Sequence, residues 1–317
     1  MIITISAVFY QTLLLGVMIF LGYGLTKSGY LKKENNDFLC RLLLDLCLPC
    51  LVLSASSTDL GEGGLLRTLL TAGIFFAVCI LFTYLGVAAC RLMKLPREET
   101  LIFSRSAGYP NNGFMGTPLA ITFFGPAGAI WAAFAMLSGN IYLFLMILQS
   151  FRRAKQAQKL PLKENLRTFI TPLNIATVLM ILLLAGGVKL PAFALQVCNY
   201  IGGCTTALAM LAVGHLLTAG PLVETLKRPS VYLCTLLRNV GSPLVLAFVL
   251  SLTPLDPDMC VCLVLLMACS AASTVSITAS RYGFKATGYA GQILLQSSLF
   301  LPLTLPLVVY AASLMLY

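Results

Sequence analysis

The stretch 106-SAGYPNNGFMGTPLA-120 interrupts what otherwise reads as one membrane-length apolar helix over 101–124. Two prolines, three glycines and two adjacent asparagines crowd into these fifteen residues. Proline removes a backbone donor and clashes with the preceding turn, and glycine weakens a helix interior. In lipid, a backbone group freed in this way must find a new partner or carry a penalty of several kcal/mol. A spanning helix that breaks at mid-depth therefore has a use for the polar backbone it uncovers.

Composition fixes the setting. Of 317 residues, 59% are hydrophobic and 10% charged, far below the roughly 25% charge of a soluble domain. The chain reads as an all-α polytopic membrane protein. Apolar runs predict ten transmembrane helices, near 2–26, 38–57, 65–90, 101–124, 127–151, 169–187, 192–218, 230–252, 259–280 and 287–316. No basic n-region or cleavage site precedes the first run, so it is expected to be retained. The polar stretch 152-RRAKQAQKLPLKENLR-167 divides the runs five and five, giving a first repeat over 1–151, a basic linker over 152–168 and a second repeat over 169–317.

The net charge of +10 is unevenly placed. Lys27, Lys32, Lys33, Arg91, Lys94, Arg97, the central linker, Lys227, Arg228, Arg281 and Lys285 fall in alternate loops, while the other loops hold only Arg67 and Lys189. The positive-inside rule makes the basic loops cytoplasmic and puts both termini outside a cell (cytoplasmic or inner) membrane. Charges spread over short loops report topology, and no nucleic-acid partner is expected.

Five spans per half place the halves in opposite orientations, as two inverted repeats. An offset of 158 lays Gly125 on Gly283 and Trp131 on Tyr289, and brings Pro110-Asn111-Asn112-Gly113 over Ala268-Cys269-Ser270-Ala271. Both fourth-in-half spans then carry a small, polar, helix-weakening centre. Paired discontinuities of this kind point to a transporter's binding site. A second half-helix starting near Thr117-Pro118 would have a threonine cap, a proline in the favoured first position, and free N–H groups suited to an anion. The predicted substrate-binding residues are Pro110, Asn111, Asn112, Gly113, Gly116, Thr117, Pro118, Cys269, Ser270, Ser273 and Thr274.

These residues resemble a known family. The stretch 20-FLGYGLTKSGYLKKENNDFLCRLLLDLCLPCLVLSAS-56, with Gly22-Tyr23, Lys27, Gly29 and Leu48-Pro49, is similar to the start of auxin efflux carrier family transporters. In 111-NNGFMGTPLAITFFGPAG-128, Asn111, Gly113, Phe114, Gly116, Pro118 and Gly125 match that family's fourth-helix segment, and 295-LQSSLFLPLTLPL-307 looks like its last helix. The resemblance implies two inverted five-helix repeats, with helices four and nine broken and crossing at mid-membrane. It also implies elevator-type export or exchange of small organic anions, auxin in plant members and dicarboxylates such as malate or malonate in bacterial ones. The short central loop looks bacterial. Family members carry a proline at the ninth-helix crossing, whereas this sequence has none between Pro257 and Pro302, which predicts a softer break there.

Four further residues are candidates for coupling or for the substrate path: Asp45, Arg105, Asn140 and His215. Asp45 is an acidic residue well inside a span, so it is paired, protonated or lining a path; Arg41 at i−4 offers an ion pair. Arg105 and Arg238 lie towards helix ends, where snorkelling to the interface is the default, and Arg105 is also suited to drawing anions into a cytoplasmic vestibule. His215 is suited to interfacial packing or to titration near neutrality.

The expected function is a secondary transporter of small organic anions. A cation-coupled symporter of related fold, a nontransporting sensor, and a membrane thiol redox protein using Cys47 and Cys50 are the alternatives. Nothing marks an enzyme, a metal site or a cofactor: there is no nucleotide loop and no H-E-x-x-H, and the single histidine lacks a triad context. Membrane lipid is an expected partner, and the sequence leaves the oligomeric state open, a homodimer included.

Overall fold

The computed structural model describes residues 5–61, 63–155, 170–218 and 222–317, so most of the predicted central linker lies outside the described residues. The described residues are helical apart from short connections, with one isolated antiparallel bridge, Pro110 to Ala271. Twelve helices occur in order among the described residues. They are α1 Ile5–Lys27, α2 Lys33–Ala55, α3 Gly64–Leu92, α4 Arg97–Gly108, α5 Asn112–Ala154 and α6 Pro172–Ala185. After these come α7 Ala192–Leu216, α8 Leu222–Leu226, α9 Pro229–Ser251, α10 Pro257–Met267, α11 Ser273–Arg281 and α12 Thr287–Leu316. Seven of these helical runs are long and apolar enough to cross a membrane, and α6 and α10 are apolar but shorter.

Two predicted runs, 101–124 and 259–280, are not continuous helices. The first is shared between α4 and the start of α5, with residues 109–111 extended between them. The second is divided into α10 and α11 by residues 268–272. The 43-residue α5 is itself two pieces, because Gly125 at φ 57, ψ −142 bends the chain ahead of Pro126. That conformation is open to glycine and strained for other residues. Gly283 after α11 also has a positive φ of 64.

Three helices widen locally to i→i+5 turns, at Leu43–Cys47, Asn112–Gly116 and Leu237–Gly241. Each is followed within two residues by a proline: Pro49, Pro118 and Pro243. A proline ring clashes with the carbonyl four residues earlier, and the wider turn moves that carbonyl away. A fourth such turn, Leu143–Leu148, has no proline after it.

The helices pack as two groups. One comprises α1, α2, α6 and α7; the other is built from α3, α4, α5 and α9 to α12. In the first group α1 and α7 meet backbone to backbone: a Cβ on Gly22 would lie 2.4 Å from the Leu211 carbonyl, and one on Gly214 2.2 Å from that of Ile19. Small residues allow such close approach between membrane helices. The groups touch through α1 against α12 and through α2, α6 and α7 against α5.

Candidate functional site

The site begins where the two interruptions meet. The Asn111 N–H donates to the Ser270 carbonyl at 2.9 Å, and the Ala272 N–H donates to the Tyr109 carbonyl at 3.1 Å. These bonds satisfy backbone groups that both helices gave up, as burial requires. The Ala271 N–H finds the Ser297 hydroxyl oxygen at 3.1 Å, on α12. The second interruption is not softer than the first: five residues are non-helical there against three, without any proline. Its sequence, Ala-Cys-Ser-Ala-Ala, has small side chains that let the partner backbone approach and supply bonds in place of a helix.

Arg238 on α9 closes the other side of the meeting point. It is fully buried, and its guanidinium donates to the Ala107 carbonyl at 3.1 Å and to the Met267 carbonyl. Those carbonyls lie in the last turns of α4 and α10, where helix dipoles place partial negative charge. Snorkelling is therefore the wrong reading for this arginine. The wide turn at Leu237–Gly241 directs the side chain inward, where two helix ends supply its counter-charge.

A cavity of about 240 Å³ lies beside the bridge. Asp45, Pro110, Asn111, Asn112, Gly113, Asn140 and Thr274 all line it, joined by Tyr109, Met136, Gly139 and, from the other helix group, Leu44, Thr171 and Leu173. The cavity thus lies between the two groups. Among the described residues its lining has no lysine, arginine or histidine, and Asp45 is its one carboxylate. Asn111 and Asn112 are 4% and 5% exposed. Asn111 Nδ2 and both polar atoms of the Asn112 side chain have no hydrogen-bond partner among the described residues. Asn140 donates to Asn174 Oδ1 at 2.6 Å, and Tyr109 stacks on Tyr142 at 5.4 Å between ring centroids.

The remaining predicted residues lie elsewhere. Gly116, Thr117 and Pro118 are one turn into α5, packed away from the cavity. Thr117 is not a cap: helix resumes at Asn112, and the Thr117 hydroxyl donates to the Asn112 carbonyl at 3.0 Å. Cys269, Ser270 and Ser273 are buried in or beside the second interruption, with the Ser270 hydroxyl 3.0 Å from the Met115 sulfur. Asp45 forms no ion pair with Arg41 among the described residues, because the wide turn at Leu43–Cys47 spoils the i, i+4 alignment. Arg105 is half-buried in a second cavity, and His215 Nδ1 is 3.1 Å from the Thr26 hydroxyl, where α1 and α7 pack. Cys47 and Cys50 are free thiols on α2 outside the cavity lining.

An all-helical chain with seven membrane-length apolar runs and a polar cavity between two helix groups is a multi-pass integral membrane protein. Its residues 7–309 match the family described as Membrane transport protein, and the chain belongs to that family, the auxin efflux carriers. It is also similar to an uncharacterized transporter of Methanocaldococcus jannaschii, 28% identical over 208 residues that cover 62% of this chain and 65% of that protein. The match thus spans less than two thirds of the relative's length.

Proposed function

We propose that the protein moves small organic anions across a cell membrane by elevator-type alternating access. In this reading ten spans form two inverted five-helix repeats, the paired interruptions are the broken fourth and ninth helices, and the cavity at their meeting point is the substrate site. The observation that carries it is the pair of unpartnered amide donors on residues that line the cavity, Asn111 Nδ2 and Asn112 Nδ2. Two amide donors at the start of a helix, with the dipole's positive end behind them, suit a carboxylate. Positive φ at both Gly125 and Gly283, which the 158-residue offset superposes, supports the repeat. The division into two helix groups with the cavity between them supports an elevator, in which one group slides the site past the other.

Proteoliposome flux against a panel of mono- and dicarboxylates identifies the substrate, and binding is then measured on purified variants. Asn111→Ala and Asn112→Ala are expected to weaken binding about five- to a hundredfold, the effect of losing one buried polar partner. Melting should stay near wild type, because the amides bond to nothing else described. Unchanged affinity in both variants overturns the site.

A coupled mechanism is favoured by the position of Asp45 in the same lining. A carboxylate facing an anionic substrate repels it unless a proton or cation is bound between them. Asp45→Asn keeps the shape and cannot exchange a proton, so the pH dependence of transport should flatten. An unaltered pH profile removes Asp45 from the coupling step.

A further inference from the structure

A second cavity, of about 380 Å³, opens between α3, α4 and α5 at the end of the molecule that carries the basic loops. It is lined by three arginines, Arg97, Arg105 and Arg153. Arg105 is fixed by neutral acceptors: Nε donates to the Met146 carbonyl at 3.1 Å and the Ser150 hydroxyl at 3.3 Å, and Nη1 to the Ser104 hydroxyl at 3.0 Å. Among the described residues, no carboxylate lines the cavity. The two nearest in sequence are engaged elsewhere, Glu98 with Lys155 at 2.6 Å and Glu99 with Arg228 at 2.9 Å. Three arginines thus line one cavity with no acidic partner among the described residues, and guanidinium forks suit phosphate oxygens.

The opposite wall is apolar and open. Tyr84 is 62% exposed and Leu145 45%, and Leu81 and Leu85 continue the exposed apolar face of α3. A small soluble anion would use only the arginine end of this cavity. A phospholipid uses both ends, with its phosphate on the guanidinium groups and an acyl chain along α3 and α5. Basic pockets between spans on the cytoplasmic side recognise anionic headgroups in this way.

We propose that this cavity is a binding site for the phosphodiester headgroup of an anionic phospholipid. The site is separate from the cavity at the interruptions, so it stands whether or not that cavity carries substrate. Arg105 lies one turn before the end of α4 at Gly108, and a lipid held there steadies α4 as it enters the first interruption.

The test uses the purified full chain in a neutral detergent, with dioctanoyl phosphatidylglycerol, dioctanoyl phosphatidylcholine and inorganic phosphate as separate probes. Melting and retention in native mass spectrometry are both read. Phosphatidylglycerol should raise the melting temperature and remain bound, while the other two probes do neither. Arg105→Gln and Arg153→Gln should each weaken retention about fivefold, the share of one arginine near an anionic headgroup. Arg67→Gln, a basic residue near the other end of α3, should leave it unchanged. Arg153 and Arg97 are exposed, so Arg153→Gln and Arg97→Gln decide the matter if Arg105→Gln folds poorly. Equal stabilisation by phosphatidylcholine overturns the proposal, as does unchanged retention in the arginine variants. Phosphate acting as well as the lipid would mark a soluble-anion site and would also overturn it.

Discussion

The two interruptions reach the same end by different means. The first, residues 109–111, contains Pro110 and is flanked by glycines at 108 and 113. The second, residues 268–272, has neither proline nor glycine and is the longer of the two. What they share is partners. Asn111 bonds to Ser270, Ala272 bonds to Tyr109, Ala271 bonds to Ser297, and Arg238 binds a carbonyl at the end of each preceding helix. A proline weakens a helix from within, whereas a neighbour offering donors and acceptors stabilises the break from outside. The second interruption shows that the outside contribution suffices.

Arg238 should matter most to both breaks together. Arg238→Met retains bulk and removes the donors shared by Ala107 and Met267, leaving two buried carbonyls without that partner. Hydrogen bonds from a charged group contribute about 1.5–3 kcal/mol each, so a destabilisation of about 3 kcal/mol or more is expected in detergent. Arg238→Lys, with one compact ammonium, should fall between the variant and wild type. Wild-type melting of Arg238→Met would mean that the backbone bridge holds the interruptions by itself.

Ser297→Ala and Pro110→Ala set the two breaks against each other. Removing the Ser297 hydroxyl strands the buried Ala271 N–H, at a cost of about 1–3 kcal/mol. Replacing Pro110 leaves the Asn111–Ser270 and Tyr109–Ala272 bonds intact. Its effect comes mainly through a freer unfolded chain, about 0.4–1 kcal/mol. Thermal melts of the two variants should therefore rank Ser297→Ala as the more damaging. The reverse order would return the break to proline and defeat the comparison.

Much of the architecture was legible in the sequence, where lipid imposes a strong pattern. Apolar runs located α2, α3, α7, α9 and α12 to within a few residues, and Pro110-Asn111-Asn112-Gly113 marked a discontinuity. Helix phase was harder to read. Each i→i+5 turn inserts a residue and rotates the rest of the helix about its axis. The i, i+4 pairing of Arg41 with Asp45 and the cap at Thr117 were both drawn on a regular helix that does not exist there. The inward arginine was missed because a basic residue near a helix end usually reaches for water. A signal was available: Gly241-Ser242-Pro243 after Arg238-Asn239 repeats the Gly116-Thr117-Pro118 pattern after Asn111-Asn112, and both sit at wide turns. Met136, Gly139 and Thr171 line the cavity without any local motif, since only the meeting of distant helices brings them together.

The smallest expected effect lies at the basic ends of the same two regions. Glu98, in the first turn of α4, accepts from Lys155 Nζ at 2.6 Å and from the Ala286 N–H at 3.2 Å, so it ties the start of the first broken segment to the connection after α11. The hydrogen bond from Lys155 holds its carboxyl below the ordinary glutamate value of 4.5. A carboxyl depressed on folding stabilises fully above its unfolded value, and that contribution drains away as pH falls through the lower folded value. The pair is about a third exposed, so solvent screens it and about 0.2–1 kcal/mol is the expected scale. Melting of wild type should thus decline as the solution is taken from neutrality to below pH 4.5. Glu98→Gln should start slightly lower and lose less over that interval, narrowing the gap in acid. A constant gap at every pH would mean that Glu98 acts through its neutral bond to Ala286, leaving the interruptions held together only at their centre.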